Sequence, residues 1–464
     1  MRALHTAVSR LYTPRTHQGI ITDYCWDHRR CNIWAHPGMG KTAAIMKLFD
    51  LLALCGSAFF PALIVAPLAV ARDVWLGESQ KWADFQGIRV VPIIGSTPAA
   101  RHAALLLRGD VYTINYENLV WLQEHFGDKW PFKIVIADES TKLRGYRLKG
   151  QGGKRASALG KVAHLTGRWI NLTGTPSPHG LESLWGQQWF VDFGSRLGHS
   201  YTDFIKRWFI VDPYTKAVVP RDNARAEIYA ALADCAIAFR VEDWLPIEKP
   251  AFFEKRVNLP PDARVHYHTM EKKFFAELPA DVKIIAWAAI AKSGKLLQMA
   301  AGSVYDENHV AHFVHDAKLE ALRSLYDELG EPLLVVYHFN FDRDRICKEF
   351  PEARVYKAKA DQDLWNAGKL PMLLIHPKSA GHGIDLQYGG RAIAFFSNDW
   401  DLELRQQVIE RLGPARQLQA GFKRTVLIYD IIANNTMDEN VNDRLMGRAT
   451  EQDALMAARA RSAA

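Results

Sequence analysis

A chain of 464 residues with 48% hydrophobic and 23% charged side chains is long enough for two to three domains and has the balance of an ordinary globular protein. Its net charge of +7 favours a polyanionic partner, although charge speaks to association and not to fold. The long apolar run at 51–66 is broken by Gly56 and Pro61; it reads as a helix end, a turn and a buried strand, which excludes a membrane span there.

The first half alternates apolar strands with helical patterns. Strands are predicted at 31–35, 62–66, 90–94, 110–115, 133–137 and 169–172, most of them short apolar runs bounded by turn residues. Helices are predicted between them, at 43–54 and 99–108. This alternation means a parallel α/β sheet. Residues 1–185 are read as one such domain. From 186 to 250 aromatics and charges mix and an alanine-rich stretch at 224–238 reads as helix, so a mostly helical insertion or bridge is expected. A second α/β domain over 251–448 has strands at 333–337, 373–376, 391–396 and 425–430 and helices at 317–329, 342–350 and 402–412. The tail at 449–464 is expected to be helical or frayed. Cys25, Cys31, Cys55, Cys235 and Cys347 form no C-x-x-C and complete no zinc pattern, so they read as reduced core residues. His266 and His268, spaced i, i+2, would share one side of a strand, and read as ordinary surface before they read as a metal pair.

Five stretches carry chemistry. Ala35-His-Pro37-Gly38-Met39-Gly40-Lys41-Thr42 has the spelling of a phosphate-binding loop, with Ala35 where the commonest pattern has Gly. Gly38 and Gly40 allow backbone N–H groups to converge on a phosphate, and the following helix presents its positive end to the same anion. Lys41 is placed to reach the β/γ-phosphates and Thr42 to hold Mg²⁺. An apolar strand then runs into Asp138-Glu139-Ser140. At a strand's carboxyl end Asp138 can hold Mg²⁺ through its waters while Glu139 orients or polarises the attacking water. Thr173-Gly174-Thr175-Pro176 follows another strand, with small hydroxyls able to bond the acid pair and a neighbouring domain. Lys378-Ser379-Ala380-Gly381-His382-Gly383-Ile384-Asp385 permits close approach to a nucleotide or nucleic-acid phosphate, and Asp385 can bind a ribose or an Mg²⁺-bound water. Gln407 and Arg411 share a helix face; Gly413-Pro414 ends that helix and leaves Arg416 just beyond it. Each stretch alone also fits a plain turn or a solvated face.

In this order the stretches resemble the superfamily-two helicases and translocases, most closely the Swi/Snf-type branch in its compact bacteriophage or bacterial form. Ala62-Leu-Ile-Val-Ala-Pro67 with Trp75, Thr113-Ile-Asn115-Tyr-Glu117, residues 172–185, residues 379–387, Asn398-Asp-Trp400 and the Gln407 helix extend the likeness over most of the chain. Gln18 occupies the place of the glutamine that reads the adenine edge. The resemblance implies two RecA-like parallel-sheet domains in tandem, with ATP and Mg²⁺ in the cleft between them and DNA across both. It implies Lys41, Asp138, Glu139, Arg411 and Arg416 as catalytic residues. It places Gln18, the 37–42 loop, Gly383 and Asp385 at the nucleotide, Thr42 and Asp138 at the metal, and Pro67, Asn115, Thr175, Lys378 and Ser379 on nucleic acid. The family's second arginine usually stands three residues after the first, where this chain has Pro414, and Asp385 stands where the branch usually has Asn.

The Gly-rich run after the acid pair carries Lys142, Arg144, Arg147, Lys149, Lys154 and Arg155. It reads as a DNA-facing loop that neutralises phosphates, or as a flexible solvated loop. The expected protein is a DNA-dependent ATPase, a monomeric cytoplasmic helicase or translocase of a bacterial or phage-infected cell. It would prefer duplex DNA through backbone contacts, with replication or recombination proteins as open partners and no membrane. An RNA helicase of the same superfamily and a non-catalytic DNA-binding scaffold are the alternatives.

Overall fold

Short apolar runs form the strands because only a sheet covered on both faces hides every residue of such a run. The computed structural model describes residues 10–213, 218–276, 287–379 and 384–447. Gly383 and the expected tail at 449–464 therefore lie outside the described residues. Two compact units emerge. The first runs to Phe209 and resumes over Pro220–Trp244; the second comprises Ile210–Val219 and the described residues from Leu245 to Gly447.

The first unit holds β1 (Arg30–Ala35), β2 (Ala62–Ala66), β3 (Val90–Pro92), β4 (Val111–Asn115), β5 (Ile134–Asp138) and β6 (Arg168–Thr173). After a small two-stranded sheet, β7 (Phe209–Val211) with β8 (Val218–Pro220), comes β9 (Ala236–Phe239). The seven-stranded sheet has the order β3-β4-β2-β5-β6-β1-β9, and every pair is parallel. Every residue of β2 and β6 is buried, as two-sided coverage requires. The region expected as a helical bridge contributes β9 to this sheet. Its alanine-rich stretch is helical only over Ala224–Ala231 and then turns, with Asp234 at the turn held 2.6 Å from Arg196, before Ala236 pairs with Asn32.

Two arginines, Arg168 buried and Arg30 half-buried, fix helix ends against this sheet. Arg168, opening β6, donates to the carbonyls of Cys25 and Trp26 at the end of helix Thr16–Asp27. Arg30, opening β1, donates to Phe190 at 2.7 Å and Ala163 at 2.9 Å. A cation at a helix carboxyl end satisfies carbonyls that the helix cannot. Burial lowers the pKa of both guanidinium groups.

The second unit follows with β10 (Ala251–Val257), the hairpin β11 (Ser303–Tyr305) and β12 (Ala311–Phe313), then β13 (Leu333–Val336), β14 (Arg354–Val355), β15 (Met372–Ile375), β16 (Ala392–Phe395) and β17 (Leu427–Ala433). Its sheet has the order β10-β17-β16-β13-β15-β14, again parallel throughout. The period-two alternation splits the strands between two cores. Leu333, Val335, Leu374 and Ala394 pack with Leu322 and Phe350 on one face, and Leu334, Val336, Leu373 and Ile393 with Trp365, Val408 and Leu412 on the other. Helices Ala317–Leu329 and Leu402–Leu412 have the bounds expected from the sequence.

Two expectations are corrected. His266 and His268 lie on helix Pro261–Ala276, where residues two apart point to different sides, and His268 Nδ1 stands 3.1 Å from a Glu271 carboxylate oxygen. Cys25, Cys31 and Cys235 are buried as core residues, but Cys55 is exposed at the end of helix Lys41–Cys55. Among the described residues no helix is long and apolar enough to cross a membrane.

Candidate nucleotide site

Strand register brings three of the predicted stretches of the first unit to one level. Trp34 of β1 pairs with Thr173 of β6, and Leu172 of β6 pairs with Asp138 of β5. The phosphate-loop spelling, the acid pair and Thr173-Gly174-Thr175 thus leave neighbouring strands at their carboxyl ends, where open α/β sheets hold ligands.

The loop after β1 takes left-handed backbone at Gly38 (φ 83°) and Gly40 (φ 74°), and helix Lys41–Cys55 begins directly after it. A Cβ on Gly40 would stand 2.0 Å from Gln18 Nε2, so the glycine makes room for the glutamine as well as for the turn. Gln18 itself is held by Arg15, whose backbone N–H donates to Gln18 Oε1 at 2.8 Å. The Thr22 hydroxyl, 3.0 Å from both the Gln18 and Ala44 carbonyls, ties the Gln18 helix to the helix that follows the loop. Gly174 approaches from β6: a Cβ there would lie 2.8 Å from Pro37 Cδ. The Lys41 ammonium donates to the Ala35 carbonyl at 2.5 Å, folded along the loop. Two histidines beside it are kept neutral. Burial pushes the His36 pKa down to about 4, with Lys41 adding to the effect and Glu242 opposing it. His17, bonded to the Met39 carbonyl at 3.0 Å, is also lowered by burial.

At the acid pair, Trp75 Nε1 donates to Asp138 Oδ2 at 3.1 Å, and the Tyr116 hydroxyl donates to the Asp138 carbonyl at 2.8 Å and stands 3.2 Å from that of Glu139. Glu139 itself has φ 57°, the left-handed region that a β-carbon disfavours. A buried polar network lies beneath. Asn171 on β6 donates to Asn32 on β1 and to the Gln187 carbonyl, both at 2.9 Å. Asn32 donates to Gln188 at 2.8 Å. Ser140, next to the acids, donates to Gln187 Oε1 at 3.0 Å, and Gln187 Nε2 donates to the Pro176 carbonyl at 2.6 Å. The acid-pair strand and the Thr173–Pro176 turn are therefore locked to each other through one glutamine. Asn171→Leu is expected to leave several of these groups unpaired, at about 1–3 kcal/mol for each. Urea unfolding should show a lower midpoint at unchanged slope.

The basic run is an ordered turn and not a loose loop. The Gly153 backbone N–H donates to the Gly145 carbonyl at 2.9 Å. Arg147 is turned inward: its guanidinium lies 3.3 Å from the centre of the Tyr201 ring and donates to the carbonyls of Arg144 and Tyr146, and burial lowers its pKa. A guanidinium stacked and bonded in this way fastens the loop. Lys142, Lys149 and Lys154 are exposed, Arg144 is half-buried, and Arg155 forms an ion pair with Glu117 at 3.1 Å. Asn115, at the end of β4, donates to Glu117 at 2.8 Å, and the Pro67 carbonyl, just after β2, accepts from the Ala71 N–H.

In the second unit, the helix carrying Gln407 and Arg411 is anchored by a residue that the sequence did not single out. Arg405 makes a double-pronged pair with Asp430 of β17, both bonds 2.7 Å and both side chains buried, and lies over the Phe395 ring. Gln407 donates to Glu403 at 3.3 Å, and Arg411 is buried. The helix ends at Leu412; Pro414 then opens a second helix, Pro414–Gln419, that carries Arg416. The Arg416 guanidinium is paired with the Asp385 carboxylate. Lys378 and Ser379 are exposed on the turn after β15, and the Lys378 backbone N–H donates to His376 Nδ1 at 3.2 Å.

The residues around the loop suit a nucleotide with its metal. Two left-handed glycines and Gly174 leave a cradle that side chains would fill, and the Thr42 hydroxyl and Asp138 carboxylate are hard oxygen donors of the kind Mg²⁺ takes. Bound there, Mg²⁺ would neutralise charge on the terminal phosphates.

The fold is α/β with two parallel sheets, and in the first the glycine loop and the acid pair leave strands of one sheet at their carboxyl ends. Residues 20–232 match the model of the SNF2-related domain family. Protein p41 of Acyrthosiphon pisum secondary endosymbiont phage 1 is 46% identical over 457 residues, covering 97% of this chain and 99% of p41. DNA excision repair protein ERCC-6-like of Bos taurus is 28% identical over 242 residues, which is 49% of this chain but 17% of that protein. Among solved structures, the Sulfolobus solfataricus SWI2/SNF2 ATPase core in complex with dsDNA is similar over 98% of this chain and 95% of that one, at 17% identity and a TM-score of 0.44. The chain is thus a full-length relative of the phage protein p41 and carries an SNF2-related domain over residues 20–232.

Proposed function

We propose that the protein is an ATP-dependent DNA translocase that prefers duplex DNA. The observation that carries this reading is the meeting of the phosphate loop, the acid pair and the Thr173–Pro176 turn at one edge of a parallel sheet in an SNF2-related chain. In this reading Lys41 draws charge from the β/γ-phosphates of ATP, Thr42 and Asp138 hold Mg²⁺, and Gln18 reads the adenine edge. Glu139 orients the attacking water and takes its proton. Its backbone is set for that task by Tyr116, and Asp138 is oriented by Trp75. Arg411 and Arg416, carried by the second RecA-like domain, stabilise the charge that develops on the transferred phosphoryl group, and hydrolysis in the cleft between the domains drives movement along the strand.

Pro67, Asn115, Lys142, Arg144, Thr175, Lys378 and Ser379 supply contacts that are mainly to phosphates, so affinity falls steeply with salt and sequence preference is weak. The protein acts as a monomer in the cytoplasm of a bacterial or phage-infected cell; the p41 relative supports that setting, and replication or recombination proteins are its natural partners. Displacement of a third strand from a duplex tests translocation directly. The protein should release the third strand with ATP, and the Glu139→Gln variant should not. Release that proceeds equally without ATP, or no release from a protein that hydrolyses ATP on duplex DNA, contradicts the proposal.

A further inference from the structure

Asp385 and Arg416 were each read as facing the nucleotide, yet they face each other. Both ends of the pair are fixed. The Asp385 carbonyl accepts from Asn366 Nδ2 at 2.7 Å, and the next backbone N–H, of Leu386, donates to the Arg411 carbonyl at 3.3 Å. On the other side, Gln417 Nε2 donates to the carbonyls of Gly390 at 2.9 Å and Leu412 at 3.0 Å, which pins the short helix that Pro414 starts. The Asp385 side chain is half-exposed whereas that of Arg416 is mostly covered. Arg416 Nε is buried with no hydrogen-bond partner, so the carboxylate satisfies only part of the guanidinium.

We propose that Asp385 is a latch on Arg416: its carboxylate competes with the terminal phosphate of ATP for the guanidinium and so restrains hydrolysis until the pair opens. The inference rests on the reading of Arg416 as an arginine offered to the nucleotide. The chemistry favours a reversible restraint. A single half-exposed carboxylate is a weak partner, whereas a phosphate offers more charge and more acceptor oxygens to the same fork. Burial also lowers the Arg416 pKa, to about 10, so the cation gains from a stronger anion. An Asn in place of Asp385 keeps the shape and removes the competing charge. Asp385 is a positioning residue in this scheme, acting through Arg416.

Two measurements on the full chain test it. The first is arginine modification by phenylglyoxal, followed at the Arg416 peptide by mass spectrometry. Asp385→Asn should accelerate it about 3- to 10-fold, the scale of releasing a partly exposed ion pair. The second is ATP turnover without DNA. Asp385→Asn should raise it by a similar factor and shrink the stimulation by DNA, and adding Arg416→Ala should erase the gain. Unchanged modification overturns the latch whatever the turnover does. Reduced turnover in Asp385→Asn also overturns it and makes Asp385 part of the nucleotide site, as does a gain that survives Arg416→Ala. Accelerated modification with no ATP turnover in any variant leaves the restraint on Arg416 standing and overturns the ATPase reading instead.

Discussion

Lys41→Ala should lower ATP turnover by about 10²–10³-fold, the effect of removing one preorganised group from developing charge. The ammonium sits on the first residue of the helix that follows the glycine loop and already lies along that loop, 2.5 Å from the Ala35 carbonyl. With His36 and His17 held neutral by burial, neither ring can substitute for the lost charge. The fold should survive, since the replaced side chain stands at a half-buried position in the first turn of the helix and alanine is the best helix former. A single-turnover assay with labelled ATP checks the size of the loss, and an unchanged circular dichroism spectrum and melting midpoint check the fold.

Glu139→Gln should separate binding from hydrolysis. The amide keeps the size of the side chain and loses its basicity, so turnover should fall by about 10²–10⁴-fold while ATP and DNA still bind. The strained backbone at Glu139 supports this assignment. A φ of 57° in a non-glycine residue is retained here by the Tyr116 hydroxyl, which bonds the carbonyls on both acids. Equilibrium binding of a fluorescent ATP analogue, measured beside steady-state turnover, gives both quantities. Normal turnover in Glu139→Gln would remove the residue from the reaction and pass the base role to another group.

The strands that position this site were legible because each is a mostly apolar run that stops beside residues with chemistry: Ala35 before the glycine loop, Ala137 before Asp138, Leu172 before Thr173. What the sequence hid falls into two kinds. Some segments have mixed patterns because they sit at sheet edges. The charged and aromatic run of β10 pairs only with β17 and leaves Phe252 exposed, so it carries no strand alternation. The strand β9 is a short Ala-Ile-Ala-Phe run behind an alanine-rich helix, and only the turn at Asp234 separates the two. Other features depend on contacts between distant segments. Asn32 and Asn171 were visible as polar residues inside apolar strands, which is the signal for a buried network, but their Gln187 and Gln188 partners were not. Arg147 reads as part of a DNA-facing or solvated loop and Arg416 as an arginine offered to the nucleotide; that one stacks on Tyr201 and the other pairs with Asp385 is not encoded in local spacing.

The most direct test of the account is steady-state ATP hydrolysis with duplex DNA, single-stranded DNA or single-stranded RNA added, and with Lys41→Ala as the control. Strong stimulation by duplex DNA, absent from the control, is the predicted result. Stimulation by RNA alone, or no hydrolysis with any polymer, would contradict it.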